Sequence, residues 1–198
     1  MTRDMLRVVA MGVALLWAAE GVALGEDAGV APQAAEARIN ELTAEYTLLH
    51  SGGQTANAIT AAKKALAAAE EAFGPEHERV AQVLNDLGHL QQLQSEFGEA
   101  EQLHQRALTI RERVFDSDGP AVVQSLNNLG KAYHSQGRDA QAEAVYKRSL
   151  SILERHVPLT DPSRLVVLEA YEQVLRSQGK TSKADAVAAM LKTIRSAR

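Results

Sequence analysis

The sequence contains no cysteine, and this absence removes several kinds of chemistry together. Without thiols the chain forms no disulfide, no thiolate zinc site and no cysteine nucleophile, and it has no cysteine to carry the lipid of a bacterial lipoprotein. Aromatic residues are also scarce, at 4% of the chain. We therefore expect a core built from Ala, Leu, Val and Ile, small enough on average to let helices approach closely.

Positive charge is not in excess either. The chain has 21 Lys and Arg residues against 25 Asp and Glu, a net charge of -4 and an isoelectric point near 5.9. A nucleic-acid-binding protein needs a basic stripe that displaces counterions from phosphates. The composition therefore excludes nucleic acid as an expected partner.

The chain also lacks an apolar run long enough to cross a bilayer. The longest uncharged, mostly apolar stretch extends over residues 8–19. It has roughly 12 residues, whereas a membrane-spanning helix needs about 20. Glu20 follows the stretch and further weakens a transmembrane interpretation.

The same stretch has the flanks of an export signal. Arg3 and Arg7 precede it, and small residues follow at Ala23 and Gly25, the spacing that a signal peptidase reads. We expect residues 1–25 to be a signal peptide, cleaved after Gly25 or, as second choice, at Ala23. The mature protein would then be periplasmic or secreted, and it would not span a membrane. The alternative is an uncleaved N-terminal segment that anchors the chain to the membrane.

A unit of 42 residues recurs in the rest of the chain. Residues 84–88 (LNDLG) return as residues 126–130 (LNNLG), and residues 106–110 (RALTI) return as residues 148–152 (RSLSI). A period of this length indicates a solenoid, in which each unit buries its apolar face against its neighbours. A plain helical bundle would also show amphipathic stripes, but it would not repeat Asn, Gly and Arg at a fixed spacing.

Extending the frame in both directions predicts four units. Small residues with Gly and Pro, and no apolar period, predict a flexible leader over residues 26–35. The repeat domain then covers residues 36–198. Its units run over about 36–77, 78–119, 120–161 and 162–198.

Each unit is predicted to contain two helices. In the third unit Val122, Leu126 and Leu129 begin a stripe of three- and four-residue steps, and Gly137 is placed to end that helix in a left-handed cap. A second stripe begins near residue 140. Pro120 and Pro162 stand near the starts of units, where a missing N–H costs nothing. The pattern predicts an all-α protein.

These residues resemble the tetratricopeptide repeat, in the 42-residue form typical of kinesin light chains and many bacterial proteins. The resemblance covers about residues 36–195 and rests on residues 126–133, 136–138, 140–143 and 148–150, with the linker 73–77. It implies a right-handed α-solenoid of four helix-turn-helix repeats. It also implies a scaffold or adaptor that binds a protein or peptide partner, with no catalytic activity and no cofactor.

The outer units depart from the pattern at one position. Gly88 and Gly130 occupy it in units two and three, but Tyr46 occupies it in unit one and Glu172 in unit four. We expect Glu172 to lie at an edge or tilt outward. The array would then be capped, or loosely packed, at its two ends.

Within the resemblance, the first helices of the units line a concave groove. Amides at repeating positions there offer donors and an acceptor to an extended peptide, and Asn is a mediocre helix former, so two adjacent Asn residues inside a helix suggest a use. The alternative is that Asn85, Asn127 and Asn128 are solvated or bond between neighbouring helices. A clamp for a terminal carboxylate, with Lys131 beside the two Asn residues, is a minor possibility. The predicted groove residues are Gln82, Asn85, Asp86, His89, Gln92, Gln124, Asn127, Asn128, Lys131 and His134.

Neither metal binding nor catalysis is predicted. No two of the six histidines have the i, i+4 spacing of a helical zinc site. His104 stands where unit three has Tyr146 and is interpreted as a packing residue. The chain has no Gly-x-Ser-x-Gly elbow, phosphate loop or His-Glu-x-x-His motif. Carboxylates such as Glu70, Glu71, Glu99 and Glu101 are interpreted as solvated surface with i, i+4 pairing.

A second hypothesis from the sequence is a structural, self-assembling envelope component. The C-terminal end is short for a solvating cap. If the apolar residues there are exposed in the single chain, association with a second copy would bury them and produce a homo-oligomer. These residues are Val187, Met190, Leu191 and Ile194.

Overall fold

The structure, a computed structural model, describes the backbone of residues 23–196 and the side chains of residues 33–196. Over this part of the chain it contains eight α-helices, one short 3-10 helix and no strand. The elements are α1 (Ala23–Ser51), α2 (Thr55–Phe73), α3 (Glu78–Leu93), α4 (Phe97–Val114), the 3-10 helix (Pro120–Val122), α5 (Val123–Ser135), α6 (Asp139–His156), α7 (Pro162–Ser177) and α8 (Thr181–Ser196).

The helices pack in sequence order. Each helix contacts the next one along the chain, and the first helices of neighbouring units also contact each other, α3 with α5 and α5 with α7. A chain in which each unit touches only its neighbours is a solenoid. The predicted fold, an all-α, right-handed α-solenoid of four helix-turn-helix repeats, is confirmed.

The turn inside each unit has the same backbone conformation. A residue with positive φ stands at positions spaced by one unit: Gly53 at 75°, Ser95 at 64°, Gly137 at 70° and Gly179 at 70°. In each turn the next residue donates its N–H to a carbonyl five residues back, a bond of 2.8 to 3.0 Å. This is the hydrogen bond of a Schellman cap. The predicted left-handed cap at Gly137 is confirmed.

Residues at the junctions between units cap the N-termini of the first helices or stand at their first positions. The His77 Nδ1 accepts the Arg79 N–H at 3.2 Å, and the Asp161 carboxylate accepts the Ser163 N–H at 2.9 Å. Pro120 is the first residue of the 3-10 helix and Pro162 the first residue of α7. Both prolines therefore stand at helix starts, as predicted, where no N–H is needed.

One large residue and one small residue meet where the two helices of a unit cross. A Cβ built on Gly130 would lie 2.6 Å from Cζ of the Tyr146 ring, and a Cβ on Gly88 would lie 2.6 Å from Cε1 of His104. His104 is fully buried, so its interpretation as a packing residue is confirmed. In the outer units the sizes are exchanged between the helices. By the 42-residue register the four pairs are Tyr46 with Ala62, Gly88 with His104, Gly130 with Tyr146, and Glu172 with Ala188.

The end of the array is better packed than the sequence predicted. Leu191 and Ile194 are only 3% and 1% exposed, because they pack against Leu168. Of the four apolar residues considered for self-assembly, only Met190 is exposed, at 47%, and Val187 is half-buried. Glu172 is half-buried. Its carboxylate accepts a hydrogen bond from Arg176 Nε at 2.9 Å, so its charge is paired.

The start of the array also differs from the expectation. The predicted signal peptide falls almost entirely on residues 1–22, which lie outside the described residues. Residues 26–35, expected to be a flexible leader, continue as part of α1. The segment contains four alanines, and alanine has the highest intrinsic helix propensity. Within the described residues no helix is long and apolar enough to cross a membrane.

Ion pairs between units repeat with the 42-residue period. The expectation of i, i+4 pairing is wrong for Glu70 and Glu101, because both carboxylates bind an arginine of the following unit. A charge on one unit therefore helps to hold the next unit in register. The repeated pairs are Glu70–Arg106 with Glu112–Arg148, Glu76–Arg113 with Asp118–Arg155, and Glu101–Arg138 with Glu143–Lys180.

Candidate peptide-binding groove

The groove is the surface formed by side chains of the first helices α1, α3, α5 and α7. Three open pockets follow one another along it, of about 250, 160 and 390 Å³. Tyr46 and Asp86 line both the first and the second pocket, and His89 lines both the second and the third. The pockets therefore form one continuous channel from unit one to unit four, with polar side chains along it.

Eight of the ten predicted groove residues lie wholly or partly at the surface. The other two do not, since Asn85 is 2% exposed and Asn127 is 8% exposed. A partner on the groove surface cannot reach Asn85 without a rearrangement of the helices. The residues at the surface are Gln82, Asp86, His89, Gln92, Gln124, Asn128, Lys131 and His134.

Asn85 bonds between neighbouring helices, which is the alternative considered for it from the sequence. Its Nδ2 donates to Ser125 Oγ at 2.9 Å, and its Oδ1 lies 3.0 Å from Nδ1 of His104. Asn128 Nδ2 approaches the same Oδ1 at 3.5 Å. Asn85 thus joins α3, α4 and α5, and the cost of burying its amide is offset by these hydrogen bonds.

The polar network continues to an arginine that the sequence analysis missed. Arg111, at the end of α4, is 4% exposed. Its guanidinium pairs with Glu78 at 3.1 Å and donates to Gln124 Oε1 at 2.9 Å and Ser125 Oγ at 3.1 Å. One signal was available in the sequence: the position of Arg111 in unit two holds Leu153 in unit three, so a charge stands at a core position.

Tyr46 and Asp86 are a second pair that spans units. The Tyr46 hydroxyl donates to Asp86 Oδ2 at 2.5 Å. Loss of hydration around the carboxylate raises the pKa of Asp86, although the hydrogen bond from Tyr46 acts in the opposite direction. Burial, and the hydrogen bond to Asp86, raise the pKa of Tyr46 above its ordinary value. Part of the hydrogen-bonding capacity of Asp86 is therefore used inside the protein.

The amides of Gln82 and Gln124 occupy equivalent positions one unit apart. Each accepts a hydrogen bond at Oε1 from an arginine, Gln82 from Arg79 at 2.7 Å and Gln124 from Arg111 at 2.9 Å. The amide N–H groups of both make no hydrogen bond with a residue that the structure describes. They remain available as donors along the groove.

His89 and Lys131 also occupy equivalent positions, at the centre of the channel. The His50 and His89 rings meet edge to face with centroids 6.0 Å apart. Partial burial, followed by the neighbouring charges of His50 and Lys131, lowers the pKa of His89, so the ring is neutral near pH 7. Among residues 33–196, the side chains of Lys131, His89 and Gln92 form no hydrogen bond or ion pair.

His134 is held by its own unit. Its Nδ1 lies 2.6 Å from Oδ1 of Asp139, whose other oxygen accepts the Ser177 hydroxyl hydrogen at 2.5 Å. A carboxylate clamp is not formed around Lys131, because Asn127 does not line the pocket that Lys131 lines and Asn128 faces Asn85. Within the part of the chain that the structure describes, no three His, Asp or Glu side chains converge in a way that could hold a metal ion.

The comparisons with known proteins agree with this fold. The sequence model of the tetratricopeptide repeat matches residues 47–113 and 79–155, together more than half of the chain. No curated protein sequence matches. Among solved structures, BtubC (BKLC) from P. vanneervenii is 24% identical with a TM-score of 0.72, over 80% of this chain and 63% of that one. This chain thus spans less than two thirds of BtubC.

Two further structures have the same fold. A Podosopora anserina protein described as a kinesin light chain with nearly identical TPR-like repeats is 18% identical, with a TM-score of 0.69, and the match covers 80% of this chain and 75% of that one. The apo form of RapI is 14% identical with a TM-score of 0.69, over 81% of this chain and 43% of that one. The chain belongs to the tetratricopeptide repeat family, with repeats of the kinesin-light-chain type.

Proposed function

We propose that the protein is a non-catalytic interaction scaffold that binds a peptide or a helix of a partner protein in the groove. Tetratricopeptide repeat domains generally bind protein partners and are typically not catalysts. The observation that carries the proposal is the contrast between two surfaces. Several charges of the second helices pair from unit to unit, whereas the side chains of Lys131, His89 and Gln92 in the groove form no hydrogen bond or ion pair with a described residue.

Free polar groups in a continuous channel suit an extended ligand. Polar groups that are unpaired in the free protein can bond to a partner without first breaking an internal bond. The groove is lined by amides, an imidazole and an ammonium, a mixture that matches the N–H and C=O groups of a peptide backbone. Mixed charge and no basic stripe again disfavour nucleic acid.

The test compares affinity capture by three forms of the chain. The native chain, a His89→Ala, Lys131→Ala double variant and a Lys64→Ala control are used as bait in an extract of the cell envelope, with quantitative mass spectrometry as readout. Lys64 is the matched control, because it is an exposed lysine on α2, outside the groove, without an ion pair among the described residues. All three forms should keep the same circular dichroism.

We expect a protein that is retained by the native chain and by Lys64→Ala and is lost by the double variant. Equal retention of the captured proteins by all three forms would contradict the proposal that the groove binds the partner. The self-assembly alternative is tested by light scattering on the native chain. A monomer at micromolar concentration would count against it, and the burial of Leu191 and Ile194 already leaves it a smaller apolar surface.

We further propose that the protein is exported and acts in the periplasm or outside the cell. The support is the sequence pattern of residues 1–25, with its two arginines, short apolar run and small residues. Intact-mass measurement of the protein purified from its native host tests this. A chain beginning near Glu26 is expected, and a chain that keeps Met1 in the membrane fraction would favour the anchor instead.

A further inference from the structure

An apolar pocket between units three and four is open beside the groove. It has a volume of about 310 Å³, and none of the nine residues that line it is charged. Gln124 lines both this pocket and the first polar pocket of the groove. A ligand in the groove could therefore continue into it. The walls of the pocket include Val123, Leu153, Val157, Val166 and Val167.

The 42-residue register shows what fills this space one unit earlier. Four residues that line the pocket correspond to the members of the buried network around Arg111 in the preceding unit. Between units two and three, the long side chain of Arg111 lies among Glu78, Gln124 and Ser125. The equivalents of Arg111, Glu78, Gln124 and Ser125 are Leu153, Pro120, Val166 and Val167.

The replacement changes both the size and the polarity of the contents. Leu153 is shorter than Arg111, so the space that the guanidinium group occupies in the preceding unit stays open here. Each polar partner of that group is replaced by an apolar residue, so a charged occupant would lose its hydration without compensation. A single uncharged side chain of the length of Leu, Met or Phe suits the pocket.

The pocket also contains an unused amide. Asn127 lines it and is 8% exposed, yet its amide makes no hydrogen bond with a described residue and its Oδ1 is buried without a partner. The equivalent residue Asn85 uses both ends of its amide. A buried amide without a partner costs free energy. A ligand that brings a main-chain amide group beside its side chain would supply the missing donor or acceptor.

We propose that this pocket anchors one large apolar side chain of an extended partner segment, whose adjacent main-chain amide bonds to Asn127. The inference rests on the proposed function, because the same segment would continue along the groove past Gln124. Neighbouring helices lie about 8–10 Å apart, and extended chain advances about 3.3 Å per residue. The segment therefore places a polar residue in the first groove pocket about three residues from its apolar anchor.

The experiment begins with a random 12-residue peptide library displayed on phage and selected on the full chain. The selected peptides are synthesised, and their Kd values are measured by fluorescence anisotropy. Val166→Gln is the informative variant, because it introduces the residue that unit three has at the equivalent position. Leu159→Gln is the matched control: Leu159 is 49% exposed, Val166 is 47% exposed, and Leu159 does not line the pocket.

We expect selected peptides to share one large apolar residue. Changing that residue to Ala should weaken binding about 10- to 100-fold, the worth of one buried apolar side chain. Val166→Gln should weaken binding of the unaltered selected peptide by about 10-fold. It should not further weaken binding of the peptide whose apolar residue is replaced by Ala, and Leu159→Gln should change neither affinity. Asn127→Leu should also reduce affinity, by about 5-fold, for loss of one hydrogen bond.

Three results would overturn the inference in distinguishable ways. If the affinity of the selected peptides falls in the His89→Ala, Lys131→Ala double variant but not in Val166→Gln or Asn127→Leu, the groove binds the peptides and the apolar pocket does not anchor them. A library that yields no binding peptide would count against both. Binding of N-acetyl-leucinamide alone, with no peptide selected, would make the pocket a small-molecule site and contradict the peptide assignment.

Discussion

Ser95 stands where the other three units have glycine, and its replacement tests the account of the repeat turns. Its φ of 64° lies in the left-handed region, as do those of Gly53, Gly137 and Gly179. An L-residue pays about 1–2 kcal/mol for that conformation, because its Cβ approaches the following carbonyl oxygen. Glycine avoids this cost. The Ser95 hydroxyl makes no hydrogen bond with a described residue that would be lost.

The expected gain from Ser95→Gly is the difference between two terms. Relief of the left-handed strain contributes about 1–2 kcal/mol. The greater freedom of glycine in the unfolded chain subtracts about 0.4–1 kcal/mol. We therefore expect the free energy of unfolding to rise by about 0.5–1 kcal/mol. For a protein of this size this is about 1–4 °C in Tm.

The reciprocal change provides the control. Gly137 has the same conformation in unit three, and a Cβ built on it meets nothing within 4 Å. Gly137→Ser should therefore cost about the same 0.5–1 kcal/mol through the backbone alone. In the Ser95→Gly, Gly137→Ser double variant the two effects should nearly cancel, because each acts through the backbone conformation of its own residue.

The assay is urea unfolding followed by circular dichroism, with Tm from calorimetry as a second measure. The reasoning is refuted if Ser95→Gly lowers the midpoint, or if the two single variants shift it in the same direction. Either result would mean that side-chain contacts, rather than backbone conformation, decide the residue at this turn.

Three further predictions concern packing and charge. Gly130→Ala should lose about 1–3 kcal/mol by overpacking against the buried Tyr146 ring, whereas Gly98→Ala, whose Cβ meets nothing within 4 Å, should not destabilise the protein in the same denaturation assay. Burial lowers the pKa of His104 from 6.5 to about 4, so its contribution to stability is complete above pH 6.5 and lost as pH falls towards 4; the free energy of unfolding should fall by up to about 1.4 kcal/mol per pH unit there, and His104→Tyr should remove that dependence. Hydrogen bonds from Lys147 and Lys180 lower the pKa of Glu143 to about 2, so its stabilising effect is present above pH 4.5 and lost as pH falls towards 2; Glu143→Gln should cost on the order of 1 kcal/mol at pH 7 and little at pH 2, with a single-variant effect near zero at pH 7 contradicting the ion-pair account.

The fold was predictable because its signals are local and repeated. The apolar steps of Val122, Leu126 and Leu129 define a helical face, and Gly137 marks a turn that occurs in every unit. The proline starts at Pro120 and Pro162 follow from the missing N–H. Each of these rules acts within a few residues of the chain, so it holds without knowledge of the tertiary contacts.

The groove was only partly predictable, because the period reports the face of a helix but not what lies opposite that face. Asn85 and Asn127 were expected at the same surface, and the structure buries both. Asn85 meets Ser125 of the next unit, whereas Asn127 faces a position held by Val167. Of two residues with one register position, only Asn85 therefore has side-chain hydrogen-bond partners among the described residues, and this depends on the identity of residues 40 positions away.

The sequence by itself determined the number of units, their helical class and their turns. It also determined that the chain has no excess of positive charge, which nucleic-acid binding needs. These properties depend on local backbone preferences and on composition. Only the tertiary structure decided that Arg111 is buried in a polar network and that the equivalent space beside Leu153 is open and apolar. Such contacts join helices of different units, and their energies depend on distances that a repeat pattern does not contain.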